Sequence, residues 1–384
     1  MKKIVFLTGT RADFGKLKSL ITISQNNKSF DTHVFITGMH NNPIYGYTAE
    51  EIVKAGFKNL YNFNNHDSAE YMDRTLAKTI EGFSKYISKL KPDLIVIHGD
   101  RIEALAGAIV GSLNNILVAH IEGGEISGTI DELIRHSVTK MSHIHLVANN
   151  EAKKRLIQLG EYDKSIFILG SPDLDLMDEN NLPDLELVKN YYEIPFKNFA
   201  IAMFHPVTTE YEKMSKYAEN FITSLEESNS NYILVYPNND LGSKKILEKI
   251  LKLKSKNNKN FRIFPSLRFE YFLRLLRESE FIIGNSSAGI REAPYYGVCT
   301  IDIGTRQNNR AKLDSIINTS YDVKDILEAI NKVKLLNKER KSNTKEKFHF
   351  GMGRSDQLFL QLLNSKELWN IKHQKQFQEL HHNE

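Results

Sequence analysis

Short apolar runs rich in β-branched residues recur along the chain, each followed by a longer stretch with helical spacing. In the first half the runs are Ile4–Leu7, Val34–Thr37, Leu94–His98, Ile116–His120, His143–Val147 and Ile166–Leu169. Helical periodicity fills Leu17–Ser24, Ser68–Leu90 and Glu103–Leu113 between them. Runs that are apolar throughout, and not alternating, predict parallel strands covered on both faces. The pattern restarts after a polar stretch, Asp178–Leu187, that contains Pro183. Its second set of strands is Phe199–Phe204, Tyr232–Tyr236, Arg262–Phe264, Phe281–Gly284 and Val298–Ile303. The alternation predicts an α/β protein of two consecutive doubly wound domains, residues 1–178 and 179–352. A final segment, 353–384, carries an amphipathic pattern at Gln357–Leu363 and a polar end from His373 onward that reads as frayed. Asn337–Lys347, rich in Lys, Glu and Asn, reads as a solvated helix or loop.

Length and composition agree with two cores. The chain has 384 residues, 41% of them hydrophobic, with 21 Phe and 16 Tyr, enough apolar surface to exclude a disordered chain. A net charge of +4 gives no warrant for nucleic acid or an acidic membrane as partner. A single cysteine, Cys299, excludes an internal disulfide and a Cys-based metal site, and its place inside a strand reads as core packing. The apolar run at MKKIVFLTG is too short for a signal-peptide core or a membrane span, so the expected location is cytoplasmic.

Sites in open α/β sheets form beyond the C-terminal ends of the strands, so the residues just after each strand matter most. After the first comes Gly9-Thr10-Arg11-Ala12-Asp13-Phe14-Gly15-Lys16. It has one residue too many for a P-loop, with Leu17 where Ser or Thr would hold magnesium, and it is not G-x-G-x-x-G. No nicotinamide, flavin or other cofactor is therefore expected. Arg11 remains, as an anion ligand at a strand-to-helix turn or as a surface residue paired with Asp13. Gly99-Asp100-Arg101 follows the Leu94 strand, and taken alone its better reading is a salt bridge capping the next helix. The next strand ends in His120-Ile121-Glu122-Gly123-Gly124-Glu125 and runs through Thr129 to Asp131-Glu132-Leu133-Ile134-Arg135. Thr129 and Glu132 have capping-box spacing, and Asp131 and Arg135 share a helix face. Asp131 and Arg135 are either an ordinary surface pair or, with Glu122 and Asp100, part of a convergent acid cluster. Converging carboxylates raise one another's pKa, which suits proton transfer near neutral pH.

In the second half, His205 ends one strand and Asn238 follows the next, while Ser266-Leu267-Arg268 offers backbone groups to a base edge. Asn285-Ser286-Ser287-Ala288-Gly289 opens a helix whose first amides and two hydroxyls suit a phosphate; an ordinary cap would need one serine. Glu292 is placed for a ribose diol, and Arg306 and Arg310 add cations after the last strand. His143 and His145 sit in a strand with no matching acid or Cys pattern, so no metal is expected. No nucleophile-elbow serine occurs either.

GTRADFG, ITGMH, HGDRIEALAGA, HIEGGEISGTIDELIRH, FHP and GNSSAGIREAPYYG…IGTRQ together resemble the hydrolysing UDP-N-acetylglucosamine 2-epimerases of sialic acid biosynthesis. The resemblance runs in order from about residue 3 to about residue 310. It implies a glycosyltransferase-B arrangement of two Rossmann-like domains with substrate between them and a final helix crossing back to the first. It implies Asp100, Glu122 and Asp131 as catalytic acids with Arg135 alongside. It also implies that Arg11, Arg101, His205, Asn238, Leu267, Ser286, Ser287, Glu292 and Arg306 grip UDP. Non-hydrolysing relatives typically carry Pro-Glu where this chain has Ala12-Asp13, which favours the hydrolysing branch. Two departures stand out: Gly15 replaces a Ser of some members, and Glu132 an Asp common in the family.

The implied reaction turns UDP-N-acetylglucosamine and water into N-acetylmannosamine and UDP, by elimination to 2-acetamidoglucal and rehydration. The partners so implied are a UDP-sugar and a second copy of the chain, as a homodimer or homotetramer. Relatives in legionaminic acid pathways run the same chemistry on a UDP- or GDP-linked 2,4-diacetamido-2,4,6-trideoxy sugar. A glycosyltransferase of the same fold is the alternative of another class, but it would retain the C2 configuration and has no need of the acid cluster. A nucleotide-sugar-binding regulator would not need it either.

Overall fold

The computed structural model describes residues 1–66, 71–127, 130–177, 182–308, 313–336, 351, 353–376 and 378–379. Two compact units emerge: Met1–Glu125, Asp131–Asp178 and Phe350–Glu384 in the first, Ile126–Ile130 and Glu179–His349 in the second.

The first unit is built on seven parallel strands: β1 (Lys2–Thr8), β2 (Phe30–Ile36), β3 (Leu60–Asn62), β4 (Leu94–His98), β5 (Leu117–Ile121), β6 (Ile144–Val147) and β7 (Ile166–Ile168). Their order is β3-β2-β1-β4-β5-β6-β7. The helices between them are α1 (Arg11–Gln25), α2 (Ala49–Lys54), α3 (Met72–Leu90), α4 (Ile102–Leu113), α5 (Ile130–Met141) and α6 (Asn150–Gln158). Strands β4 and β5 are buried at every position, as the uninterrupted apolar runs require. Chain order reverses between β1 and β4, so a crevice opens there beyond the strand ends.

Two elements differ from expectation. Strand β3 was not anticipated: it is a three-residue edge strand with Tyr61 and Asn62 exposed, so it carries no apolar run. Helix α1 begins six residues before the predicted Leu17, because Thr10 and Asp13 close a capping box around its first turn. Residues 68–70 of the predicted Ser68–Leu90 helix lie outside the described residues, as does Asn337–Lys347.

The second unit repeats the design with α7 (Leu185–Tyr191), α8 (Met214–Glu227), α9 (Ser243–Ser255), α10 (Phe269–Glu278), α11 (Ala288–Tyr295) and α12 (Val323–Leu336). Its strands are β8 (Ala200–Met203), β9 (Tyr232–Val235), β10 (Phe261–Phe264), β11 (Phe281–Gly284), β12 (Cys299–Ile303) and β13 (Ile316–Thr319). All six are parallel, in the order β10-β9-β8-β11-β12-β13, which puts the reversal between β8 and β11. The edge strand β13 has no fully buried residue and likewise escaped the apolar pattern. Cys299 packs in this unit's core beside Ile301 and Phe281.

The chain then returns to the first unit as α13 (Ser355–Asn364) and α14 (Lys366–Trp369). Phe359 enters the first core edge-on to Phe6, with ring centroids 6.1 Å apart. Asp175 caps α13, accepting from the Ser355 amide at 2.8 Å and the Asp356 amide at 3.0 Å, while Ser19 of α1 donates to it at 2.9 Å. No described helix is long and apolar enough to cross a membrane.

Candidate active site

In the first unit the candidate residues gather where β1, β4, β5 and β7 end. Thr8 closes β1, and the turn after it directs Asp13 inward. Asp13 accepts from the Gly9 amide at 2.9 Å, the Thr10 amide at 3.1 Å and the Thr8 hydroxyl. Burial pushes its carboxyl above the ordinary Asp range, against the hydrogen bonds that favour the charge. Arg11 instead pairs with Glu51 of α2 at 2.5 Å, so Asp13 belongs to the helix cap and is not the surface partner considered for Arg11. Arg101 sits 3.4 Å from the buried Glu103 at the start of α4.

The Gly99 turn that presents Asp100 is fixed from below. His120 Nε2 lies 2.8 Å from the Gly99 carbonyl, an oxygen with no proton, so Nε2 carries the hydrogen. Burial lowers the His120 pKa to about 3, which keeps that ring neutral. Asp100 then meets Arg135 in a close ion pair. Arg135 is fully buried, and its Nη1 donates to the Glu125 carbonyl at 3.2 Å. A guanidinium so placed is no ordinary surface partner for Asp131; it ties the Asp100 turn and the glycine loop to α5. Asp131 and Glu132 occupy the first turn of α5, where carboxylates suit the helix dipole. Glu132 lies 3.3 Å from His136, while its proposed capping partner Thr129 is outside the described residues.

Glu122 leaves β5 with φ +73, a left-handed backbone that costs a side-chain-bearing residue roughly 1–2 kcal/mol. Its amide still bonds the Leu146 carbonyl at 3.2 Å, so the β5–β6 ladder runs up to the bend. Beyond it, Gly124 passes so close to α6 that a Cβ would stand 2.3 Å from the Ala152 carbonyl. Arg155 holds the same loop by donating to the Gly124 carbonyl at 3.1 Å. The bend turns the Glu122 carboxylate onto His98, whose Nε2 is 2.8 Å from Oε2. Lys16 of α1 lies 3.8 Å from the same oxygen and 3.7 Å from Asp173, which follows β7. Where the sequence suggested acid beside acid, these contacts place a cation or a histidine against each of Asp100 and Glu122.

The second unit has its own cluster at the β8/β11 reversal. The His205 amide donates to the Asn285 side chain at 2.6 Å, and Asn285 Nδ2 donates back to the His205 carbonyl at 2.8 Å. His205 Nδ1 accepts the Asn238 amide at 3.0 Å, which leaves the ring proton on Nε2 as a donor. Asn238 binds Asp240 through its side chain. Gly284, at φ +135, lets β11 pass β8: a Cβ there would stand 1.8 Å from the Met203 carbonyl.

Helix α11 then opens, with a correction to the expected phosphate seat. The Ala288 amide is already taken by Ser286 Oγ at 3.3 Å, and the Gly289 and Ile290 amides by the carbonyls of Ser286 and Ser287. Ser287 makes no capping bond, so the second serine is not used as a cap. Arg306 and Gln307 donate to the Asn285 carbonyl at 3.3 and 2.9 Å. Glu292 and Leu267 are buried, and Arg310 lies outside the described residues. Asp302 of β12 is buried beneath this end of the sheet, and desolvation pushes its carboxyl up to about 7 against the pull of Arg306. Among the described residues no group of His, Cys, Asp and Glu could hold a metal ion. His143 and His145 serve the fold: His143 accepts the Val118 amide at 3.1 Å, and His145 lies 2.8 Å from the buried Glu161.

Comparison with known proteins places these clusters in a family. The family model described as UDP-N-acetylglucosamine 2-epimerase matches residues 23–364. A UDP-N-acetylglucosamine 2-epimerase of Neisseria meningitidis serogroup B is 50% identical over 381 residues, covering 99% of this chain and 100% of the relative. This chain belongs to the UDP-N-acetylglucosamine 2-epimerase family. Another relative, the UDP-N,N'-diacetylbacillosamine 2-epimerase (hydrolyzing) of Legionella pneumophila, is 33% identical over 344 residues, covering 87% of this chain and 90% of its own. Among solved structures, a UDP-GlcNAc 2-epimerase from Neisseria meningitidis bound to UDP-GlcNAc matches with TM-score 0.78. It is 17% identical and covers 94% of this chain and 99% of its own. Epimerases of this family have the glycosyltransferase-B fold, and the two parallel sheets described above are of that class.

Lys16, His98, His120 and Asp173 of this epimerase-family chain were not anticipated as site residues. The available signals were Lys16 at the end of the first glycine motif and His98 directly before Gly99-Asp100; Asp173 carries none.

Proposed function

We propose that the protein is a hydrolysing UDP-N-acetylglucosamine 2-epimerase that releases N-acetylmannosamine and UDP and so feeds sialic acid synthesis. The carrying observation is a buried carboxylate, Glu122, bent onto His98 where β4 and β5 end in an epimerase-family sheet, with Asp100 anchored by Arg135 after the same β4. Ala12-Asp13 in the first motif and the likeness to a hydrolysing 2-epimerase of Legionella support hydrolysis over simple epimerisation.

The C2 proton is weakly acidic, so its removal is coupled to loss of UDP from C1. One carboxylate of Asp100, Glu122 and Asp131 accepts the C2 proton. The C1–O bond breaks, its electron pair leaves on the β-phosphate oxygen, and 2-acetamidoglucal remains. Water then adds across the double bond, hydroxyl to C1 and a proton to C2 on the opposite face, which inverts that centre. In this scheme Arg11, Arg101, His205 Nε2, Ser286, Ser287 and Arg306 meet the charge of the departing diphosphate. Asn238, Leu267 and Glu292 hold the nucleoside.

General base action supplies roughly 10²–10⁴-fold, and removing one well-placed donor to developing charge costs about 3–4 kcal/mol. Neither alone accounts for an enzymatic rate. Glu122→Gln and Asp131→Asn should therefore keep UDP affinity, measured by calorimetry, while losing most turnover. Near-normal turnover in both would remove the carboxylates from the mechanism.

A further inference from the structure

The first unit holds Glu122 in a setting that a packing role does not require. Its Oε2 has His98 Nε2 at 2.8 Å and Lys16 Nζ at 3.8 Å, and all three side chains are less than a tenth exposed. Lys16 is shared with Asp173 at 3.7 Å, whose side chain is equally buried. A buried lysine on the inner face of a helix pays heavily in lost hydration unless carboxylates compensate it. The left-handed backbone at Glu122 is a second cost, borne at the residue whose carboxylate meets this pair.

Other charged or titratable groups of the first unit engage partners of their own. Asp13 feels His98 electrostatically, and His40 is 4.0 Å from Asp13 and held neutral by burial, with a pKa of about 3. His120, on the strand that Glu122 follows, is neutral for the same reason. Arg135 is committed to Asp100 and the Glu125 carbonyl, and Arg155 to the Gly124 carbonyl.

We propose that Lys16 and His98 are positioning residues that keep Glu122 ionised and aimed, so that Glu122 enters the reaction as a proton acceptor. The catalytic half of this statement rests on the function proposed above; the electrostatic half does not. An opposite charge within 4–6 Å favours the charged form of a carboxyl by one to three pH units, and sharing Lys16 with Asp173 puts this case at the low end.

The test uses protein labelled with ¹³C at the glutamate carboxyls, with the Glu122 resonance assigned by its loss in Glu122→Gln. In Lys16→Met the titration midpoint of that resonance should rise by about one pH unit, and Lys16→Arg should restore it. The acid limb of the kcat/KM profile should move upward by the same amount, with UDP affinity unchanged. A midpoint that stays put in both Lys16→Met and His98→Asn overturns the proposal, even if activity falls. A midpoint that moves in protein that turns over no nucleotide sugar leaves the clamp standing and removes the proposed function instead.

Discussion

Glu161 offers the clearest perturbation whose size follows from the structure. Its carboxylate is fully buried after α6 and meets His145 Nε2 at 2.8 Å, Lys140 Nζ at 2.9 Å and Lys375 Nζ at 2.5 Å. Lys375 also donates to the Thr139 and Lys140 carbonyls, so the returning tail closes the C-terminal end of α5, the helix that carries Asp131 and Arg135. Burial alone would raise the Glu161 pKa. The hydrogen bond and charge of His145, with Lys375, hold it down instead, at about 2 against an ordinary 4.5. His145 is itself pushed down by burial and so contributes a neutral hydrogen bond more than a charge, which leaves the lysines as the cations.

The gap between 4.5 and about 2 corresponds to about 3 kcal/mol at neutral pH. Glu161→Gln keeps the shape but leaves two lysines facing an amide, and breaking buried pairs costs about 3–5 kcal/mol. We expect a loss of about 3 kcal/mol at pH 7. Trp369 is the chain's one tryptophan and belongs to the first unit, so its fluorescence during urea unfolding follows that unit. Because the folded pKa is depressed, the contribution is complete above pH 4.5 and disappears as pH falls through about 2. The difference between wild type and Glu161→Gln should therefore shrink to roughly 1 kcal/mol at pH 3. A difference below about 0.5 kcal/mol at pH 7, or one unchanged at pH 3, would refute the ion cluster as the source.

Two further outcomes probe the second unit. Gly284→Ala puts a methyl 1.8 Å from the Met203 carbonyl at φ +135, where neither backbone can yield cheaply. It should cost at least about 3 kcal/mol by circular dichroism in urea, and wild-type stability would contradict the close approach of β8 and β11. Ser287→Ala removes a hydroxyl that the α11 cap does not use. It should leave folding unchanged and weaken UDP about tenfold by calorimetry, the size of one hydrogen bond to a charged group.

Much of the fold was legible because parallel strands buried on both faces must be apolar throughout: Leu94–His98 and Phe281–Gly284 were bounded correctly from that pattern alone. The strands that escaped, Leu60–Asn62 and Ile316–Thr319, lie at sheet edges, where one side faces water and the pattern dissolves. The start of α1 escaped because its signal is chemical, a Thr10–Asp13 cap, inside a stretch that invites comparison with phosphate loops. At the site, Asp100, Glu122 and Arg135 could be named from strand ends and helix spacing. The contacts of Lys16 with Glu122 and Asp173 could not, since they join residues 106 and 157 positions apart through the order of the sheet. Arg135 was the hardest to judge, because nothing in an i, i+4 pair with Asp131 tells that the arginine is fully buried.

The central claim is tested most directly by proton NMR of the purified protein with UDP-N-acetylglucosamine in D₂O, without added metal or nicotinamide. Hydrolytic epimerisation predicts free UDP together with N-acetylmannosamine carrying deuterium at C2. UDP-linked products would contradict the hydrolytic step. Intact substrate, followed by turnover of a UDP- or GDP-linked diacetamido trideoxy sugar under the same conditions, would contradict the proposed sugar while leaving the chemistry in place.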